Sequence, residues 1–291
     1  MSGTLFIVAT PIGNLEDITY RAVATLREAD VIACEDTRHT RTLLERYGIT
    51  KPLVSYHDHN ERERAPELLT ELEQGRNVAL VSDAGTPLMA DPGYRLVHEA
   101  IERGIRVSPV PGPTAAPAAL SASGLGVDAF VFAGFLPAKA TQRRRELERW
   151  RETRATLIFY EAPHRILDAL EDIGAVYGER PVVVAREMTK VHEEFLRGTA
   201  GEVRAGLAGR PSVKGEFVIL VGWAEQAAAT EETLEEEVAR REAAGMPRME
   251  AIKQAAKARG IGKREAYREL AGAGRTGRCG AGQQSGGQTS G

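Results

Sequence analysis

The chain has 291 residues, 42% hydrophobic and 27% charged, an ordinary globular composition whose length predicts two domains and a small appendage. Its 38 Lys and Arg against 41 Asp and Glu leave a net charge of -3, so any contact with nucleic acid must come from a local patch. The apolar runs are far shorter than the roughly 18 residues of a membrane span, no secretory signal is visible, and Cys34 and Cys279 cannot make a disulfide framework, so a cytoplasmic protein with no membrane contact is expected.

The first part alternates apolar runs with helical patterns. Strands are predicted at Leu5–Ala9, Val31–Cys34, Leu53–Tyr56, Val78–Val81 and Ile105–Val110. Helices are predicted between them at Thr19–Ala29, Thr37–Tyr47, Glu61–Gln74 and Gly93–Arg103. Continuous apolar strands alternating with amphipathic helices imply a parallel sheet covered on both faces. Ligands of such sheets collect at the carboxyl ends of the strands.

The pattern changes after Pro111. A small-residue helix is predicted at Ala115–Ala122. Strands follow at Phe130–Ala133, Thr156–Tyr160, Val182–Ala185, Glu194–Gly198 and Glu216–Gly222. The last of these lie too close in sequence for a crossover each, so a mixed sheet is expected. Beyond Trp223, residues 231–244 hold six Glu against two Arg, and residues 245–268 hold seven Lys and Arg against two Glu. Helical spacing interrupted at Gly260-Ile261-Gly262 resembles a helix-turn-helix unit. The last 21 residues contain eight Gly and no Leu, Ile, Val or Phe, and are expected to be disordered. The boundaries are therefore drawn at 1–114, 115–224, 225–272 and 273–291.

Four loops at strand ends are dense in Gly, Pro and small polar residues: Thr10 to Asp17, Glu35 to Arg38, Ser82 to Gly93, and Pro109 to Thr114. Any one of them reads as an ordinary turn, whereas four at one sheet edge point to a ligand site. Neither a P-loop nor a Gly-x-Gly-x-x-Gly turn after the first strand is present. His57 and His59 would share a strand face, but they have no third ligand nearby, and no metal is expected. His39 and His98 read as surface residues of helices. In the second half, Tyr160-Glu161-Ala162-Pro163-His164-Arg165, with Pro at a helix start, and Ala185-Arg186-Glu187-Met188-Thr189-Lys190 gather acids, bases and cations at strand ends. Lys214-Gly215-Glu216 enters the last strand and would close the same cleft.

These runs together resemble the ribosomal RNA small subunit methyltransferase I family, a branch of the tetrapyrrole-methylase superfamily. The similarity spans about residues 4–223 and extends into the tail. It implies a two-domain α/β fold: a parallel-sheet N-terminal domain, a mixed-sheet second domain and a small helical C-terminal extension. It also implies S-adenosyl-L-methionine as cofactor, 2′-O-methylation of a cytidine in the decoding region of 16S ribosomal RNA, the RNA or the small ribosomal subunit as partner, and a homodimer. By that resemblance the donor-binding positions are Pro11, Asp83, Ala84, Gly85, Leu88, Met89, Thr114, Ala115, Tyr160, Glu161 and Met188. The first and third loops depart from the Gly-rich loops of corrin and sirohaem methylases, which favours the RNA branch. Two other readings are a small-molecule methylase of the superfamily, disfavoured by the basic tail, and a non-enzymatic RNA-binding protein, disfavoured by the intact loops.

A ribose hydroxyl is a weak acid, so its methylation calls for a base or a stabilising cation near the oxygen. Glu187 and His164 are candidates for the base, and Arg165, Arg186 or Lys190 for phosphate or oxyanion contacts. The sequence does not choose among them.

Overall fold

The structure is a computed structural model and describes residues 2–223, 234–243, 245–258 and 261–276. The chain divides into two compact units, residues 1–224 and 225–291.

The first unit holds two five-stranded sheets. The first sheet is built from β1 (Thr4–Val8), β2 (Val31–Cys34), β3 (Leu53–Ser55), β4 (Val78–Val81) and β5 (Arg106–Val110), in the order β3-β2-β4-β1-β5. Every pairing in it is parallel. The crossovers carry α1 (Tyr20–Glu28), α2 (Thr37–Arg46), α3 (Glu61–Glu73) and α4 (Tyr94–Glu102). Alternate residues of each strand face opposite ways. On β2, Val31 and Ala33 pack with Leu68, Leu69, Leu72 and Leu96. Ile32 and Cys34 pack on the other face with Ala22, Leu26 and Leu44. Both faces are thus apolar, which is why the strands read as continuous hydrophobic runs. Burial also raises the pKa of the Cys34 thiol, leaving it an inert packing group. Side chains start two of these helices: Thr19 accepts from the Ala22 N–H, and Asp36 from the Arg38 N–H.

The second sheet follows α5 (Ala115–Ser123), which packs against it rather than against the first. Its strands are β6 (Phe130–Phe135), β7 (Thr156–Glu161), β8 (Pro181–Arg186), β9 (Glu194–Thr199) and β10 (Phe217–Val221). The order is β6-β7-β10-β8-β9. Only β6 and β7 are parallel; the other pairings are antiparallel. Seven residues, 187–193, join β8 to β9, too few for a crossover. The central strand β10 is buried at all five positions. Helices α6 (Ala140–Arg149), α7 (Ile166–Tyr177) and α8 (Ala200–Ala208) complete the lobe. The register of β6 slips between Phe132 and Phe135, a bulge that re-aims the end of this edge strand.

Pro163 was expected at the start of a helix. Residues 163–165 instead form a turn, and α7 begins at Ile166.

The second unit contains α9 (Leu234–Ala243), α10 (Arg248–Ala258) and α11 (Lys263–Thr276) around a core of Leu234, Val238, Ala251, Ile252, Ala255 and Ala266. Glu237 pairs with Arg241, and Glu242 with Arg248. Helix α11 runs to Thr276, into the stretch whose composition was expected to be disordered. Residues 277–291, Cys279 included, lie outside the described residues. Among the described residues no helix is long and apolar enough to cross a membrane.

Candidate active site

The carboxyl ends of the first sheet's strands are tied into one rim by hydrogen bonds between their loops. Thr10 N–H donates to Gly85 O at 2.8 Å, and Gly85 N–H returns to Thr10 O at 3.0 Å. The Thr10 hydroxyl donates to Ser82 O at 3.1 Å. Asp36 N–H donates to Asp83 Oδ1 at 3.0 Å. The hydroxyls of Thr86 and Thr114 are 2.5 Å apart. First, second, third and fourth loops are therefore one structure centred on residues 82–93.

The second lobe closes onto that rim. Asn14 N–H donates to Thr189 Oγ1 at 3.0 Å, and within the second lobe Ala116 N–H donates to the Tyr160 hydroxyl at 3.2 Å. Between the lobes lies a cavity of about 350 Å3. Its floor is largely apolar: Ile12, Ala84, Gly85, Met89, Ala115, Met188, Phe217 and Val218 line it, with Phe135 and Tyr160 edge-to-face at 5.7 Å. Four carboxylates also line it, those of Asp83, Asp91, Glu161 and Glu216, and among the described residues no Lys, Arg or His does.

Two of those carboxylates are unusual. The Glu161 side chain is fully buried. Its Oε1 accepts from Arg165 Nη2 at 2.6 Å and from the Ala162 N–H at 2.8 Å, while Oε2 has no partner. Burying a carboxylate oxygen without a donor is costly, so Oε2 on the cavity wall is an acceptor open to a ligand. Asp91 is pushed up to about 6, mainly by burial and then by the charge of Glu35, with Asp83 and Asp58 adding to it and a bond from Ser82 opposing. Glu35 itself is raised by burial first and by Asp83 next. The rim is strongly electronegative, and a cation entering it would relieve that repulsion.

Backbone strain concentrates here as well. Among the described residues, the non-glycine residues with positive φ are Leu88, Ala90, Glu187 and Thr189. All four sit on the two loops that face each other across the cavity. Such strain persists only where the surroundings enforce it, and it clusters at functional sites.

Of the residues that the sequence pointed to as donor contacts, Asp83, Ala84, Gly85, Met89, Thr114, Ala115, Tyr160, Glu161 and Met188 line the cavity. Pro11 and Leu88 do not; Pro11 is buried behind the rim, and Leu88 packs into the first sheet's core. The candidates for chemistry lie outside the lining. Glu187 Oε1 accepts from Lys190 Nζ at 3.0 Å and from the Glu216 N–H at 3.1 Å, and the Lys190 bond chiefly holds this carboxyl below its ordinary range. Lys190 also reaches Glu216 at 3.1 Å. Arg186 donates to Lys214 O at 2.6 Å and to Glu194 at 2.9 Å. His164 is exposed. Phe135 and Asp91 were not singled out as donor contacts. Asp91 could have been, because its Pro-Gly continuation belongs to the third loop. Phe135 reaches the cavity through a bulge that the sequence does not signal. His57 and His59 pack edge-on at 5.9 Å, and among the described residues no three His, Cys, Asp or Glu gather to hold a metal.

Residues 4–204 match the tetrapyrrole (corrin/porphyrin) methylase family. Relatives named ribosomal RNA small subunit methyltransferase I include that of Halalkalibacterium halodurans, 49% identical over 91% of this chain and 93% of its own. That of Escherichia coli O157:H7 is 50% identical over 91% of this chain and 94% of its own. The chain belongs to the tetrapyrrole methylases and, among them, to the ribosomal RNA small subunit methyltransferase I family. Two solved structures share the fold. A uroporphyrin-III-C-methyltransferase from Thermus thermophilus has a TM-score of 0.55 at 23% identity, covering 76% of this chain and 94% of that one. A diphthine synthase has a TM-score of 0.59 at 18% identity, covering 76% and 90%. As a member of this methyltransferase family the chain handles a methyl donor, and the inter-lobe cavity is the candidate place for it.

Proposed function

We propose that this protein uses S-adenosylmethionine to methylate the 2′-oxygen of a cytidine in the decoding region of 16S ribosomal RNA, in the cytoplasm and as a homodimer. The observation that carries the donor assignment is the cavity with four carboxylates and no cation. S-adenosylmethionine carries a positive sulfonium and an ammonium, and supplies an electrophilic methyl group when bound. The residues present fit it: the cavity volume lies within the range of small-molecule sites, and the unpartnered Glu161 Oε2 offers an acceptor for a ligand N–H or O–H.

In this reading Asp83, Ala84, Gly85, Met89, Thr114, Ala115, Tyr160, Glu161 and Met188 hold the donor directly. Pro11 and Leu88 act behind them by fixing the first and third loops. The 186–190 loop supplies the acceptor side. Glu187 and Lys190 hold its strained backbone through their mutual pair and through Glu216. With Oε1 already accepting two bonds and a lowered pKa, Glu187 is a weak proton acceptor. Asp91, on the cavity wall and raised to about 6, is better matched to take a proton near neutrality. Arg186 orders the loop through Glu194, and exposed His164 contacts the incoming RNA. The basic stretch at 245–271 adds phosphate contacts, leaving nucleotide choice to the cavity and to RNA shape.

The test is mass-spectrometric mapping of ribosomal RNA ribose methylation in cells with and without the gene, and with a Glu161→Ala variant. A cytidine 2′-O-methyl group that disappears in both deletion and variant is the expected result. An unchanged small-subunit methylation map would refute the reading.

A further inference from the structure

A cavity lined by four carboxylates repels the phosphates of any RNA that brings a ribose to it. The strand must therefore be held by cations outside, and those at the rim are already engaged: Lys190 with Glu187 and Glu216, Arg186 with Glu194, Arg165 with Glu161.

The outer face of α6 differs. Residues 139–154 hold seven Lys and Arg against three Glu, in a chain whose overall balance is negative. Arg143 is buried on Asp172, and Arg144 pairs with the same carboxylate. Lys139, Arg145 and Arg149 are exposed. Lys139 and Arg145 have no acidic partner among the described residues, and Arg149 is held only loosely by Glu146, at 3.5 Å, and by the Trp150 ring. Their spacing, with Gln142 between the first two, places all of them along one side of the helix. Arg145, Gln142 and Arg149 also line a shallow surface groove. The placement matters as much as the charge. This helix begins five residues after Phe135, which is 54% exposed and lines the cavity mouth. The ten-residue helix is about 15 Å long.

We propose that the Lys139–Arg145–Arg149 face of α6 is a phosphate track that guides the acceptor RNA strand to the cavity mouth at Phe135. This rests on the reading of the chain as a ribosomal RNA methyltransferase. Contacts of this kind release counterions, so they strengthen binding in a salt-dependent, sequence-independent way.

The test uses the full chain carrying Lys139→Glu, Arg145→Glu and Arg149→Glu together, with the corresponding triple Gln variant as the milder form should charge reversal disturb folding. Binding to 16S ribosomal RNA is measured across a salt series, S-adenosylmethionine binding by calorimetry, and oligomeric state by sedimentation. The expected result is at least a tenfold loss of RNA affinity, with the slope of log affinity against log salt shallower by about 2, as three lost contacts predict. Donor affinity should stay within about twofold. Undiminished RNA affinity and an unchanged slope in a folded variant would overturn the track. So would a changed oligomeric state with RNA affinity intact, which would make this face a contact between copies. If the unmodified chain binds donor but no ribosomal RNA, the functional reading itself fails and takes the track with it.

Discussion

Replacing Gly85 by Val perturbs the centre of the rim. Gly85 has φ of +86°, and a Cβ placed on it would lie 3.3 Å from Ile12 Cγ2 and 3.7 Å from Pro113 O. The left-handed backbone alone costs an L-residue about 1–2 kcal/mol, and crowding of Ile12 by the two methyl groups adds about 1–3 kcal/mol. Ile12 and Gly85 both line the cavity, so whichever way the methyls turn they shift Ile12 or occupy ligand space. A tenfold loss of donor affinity corresponds to about 1.4 kcal/mol, and a displacement of this kind should exceed it. The assay is calorimetric titration with S-adenosylmethionine, beside a thermal melt to show that the variant is folded. Gly48→Val is the control: Gly48 also has positive φ, at +61°, but a Cβ there meets nothing within 4 Å. It should lose comparable backbone stability and keep full donor affinity. Undiminished affinity in folded Gly85→Val would refute the placement of the donor, and equal affinity losses in both variants would show that strain, not the cavity, is being measured.

Donor affinity should rise with pH through about 6 and level off above it, because a cationic ligand prefers ionised Asp91; the slope below that point approaches about tenfold per pH unit and should vanish in Asp91→Asn, as calorimetry at several pH values would show. The same shift has a stability sign. Because burial raises this carboxyl above its unfolded value, its contribution is full below about pH 4 and is lost as pH rises through about 6. Asp91→Asn should therefore be more stable than the parent above pH 6 and level with it below pH 4 in urea titrations. In the second lobe, Arg143 and Asp172 have side chains only 4% and 3% exposed, so Arg143→Ala should lose about 3 kcal/mol in urea denaturation, whereas Arg144→Ala, at 55% exposed, should lose under about 1 kcal/mol. Equal losses would contradict that ranking. A truncation ending at Gly222 should keep donor affinity while weakening RNA binding and flattening its salt dependence; an equal slope would leave the basic tail with no RNA-binding role.

The first sheet was legible because burial on both faces forces continuous apolar runs, and its short parallel strands have to be joined by helices. Leu5, Val31, Val78 and their neighbours could be assigned to strands without knowing their partners. The second sheet was legible only strand by strand. That β10 inserts between β7 and β8 follows from long-range packing of Phe217, Ile219 and Val221 with Phe159 and Val184, and no local pattern encodes that. The same divide runs through the cavity. Its first-lobe wall comes from strand-end loops rich in Gly, Pro and Asp, where composition alone betrays a special backbone. Its second-lobe wall includes Phe135, Phe217 and Val218, ordinary strand residues until a bulge and the sheet topology turn them toward a ligand. The pairings at 186–190 were equally hidden. Arg186, Glu187 and Lys190 stood out as charged residues at a strand end, but their partners Glu194 and Glu216 arrive from other strands.

The charge layout explains why donor and acceptor surfaces should be separate. At an effective dielectric of about 20, a phosphate roughly 8 Å from one carboxylate is repelled by about 2 kcal/mol. Four carboxylates line this cavity without a cation among them, so an RNA backbone drawn inside would meet that repulsion several times over. A sulfonium donor meets the same field as attraction. One electrostatic arrangement would thus admit a sulfonium donor and exclude phosphates, letting only the uncharged ribose edge of an acceptor approach. Binding energy for the RNA then has to come from cations that do not line the cavity, such as those on the outer face of α6 and in the basic stretch at 245–271. Neutralising the cavity acids, as in Asp91→Asn, should consequently weaken donor binding without weakening RNA binding, and removing the outer cations should do the reverse. A variant of either kind that lost both affinities together while remaining folded would mean that the two ligands share one surface.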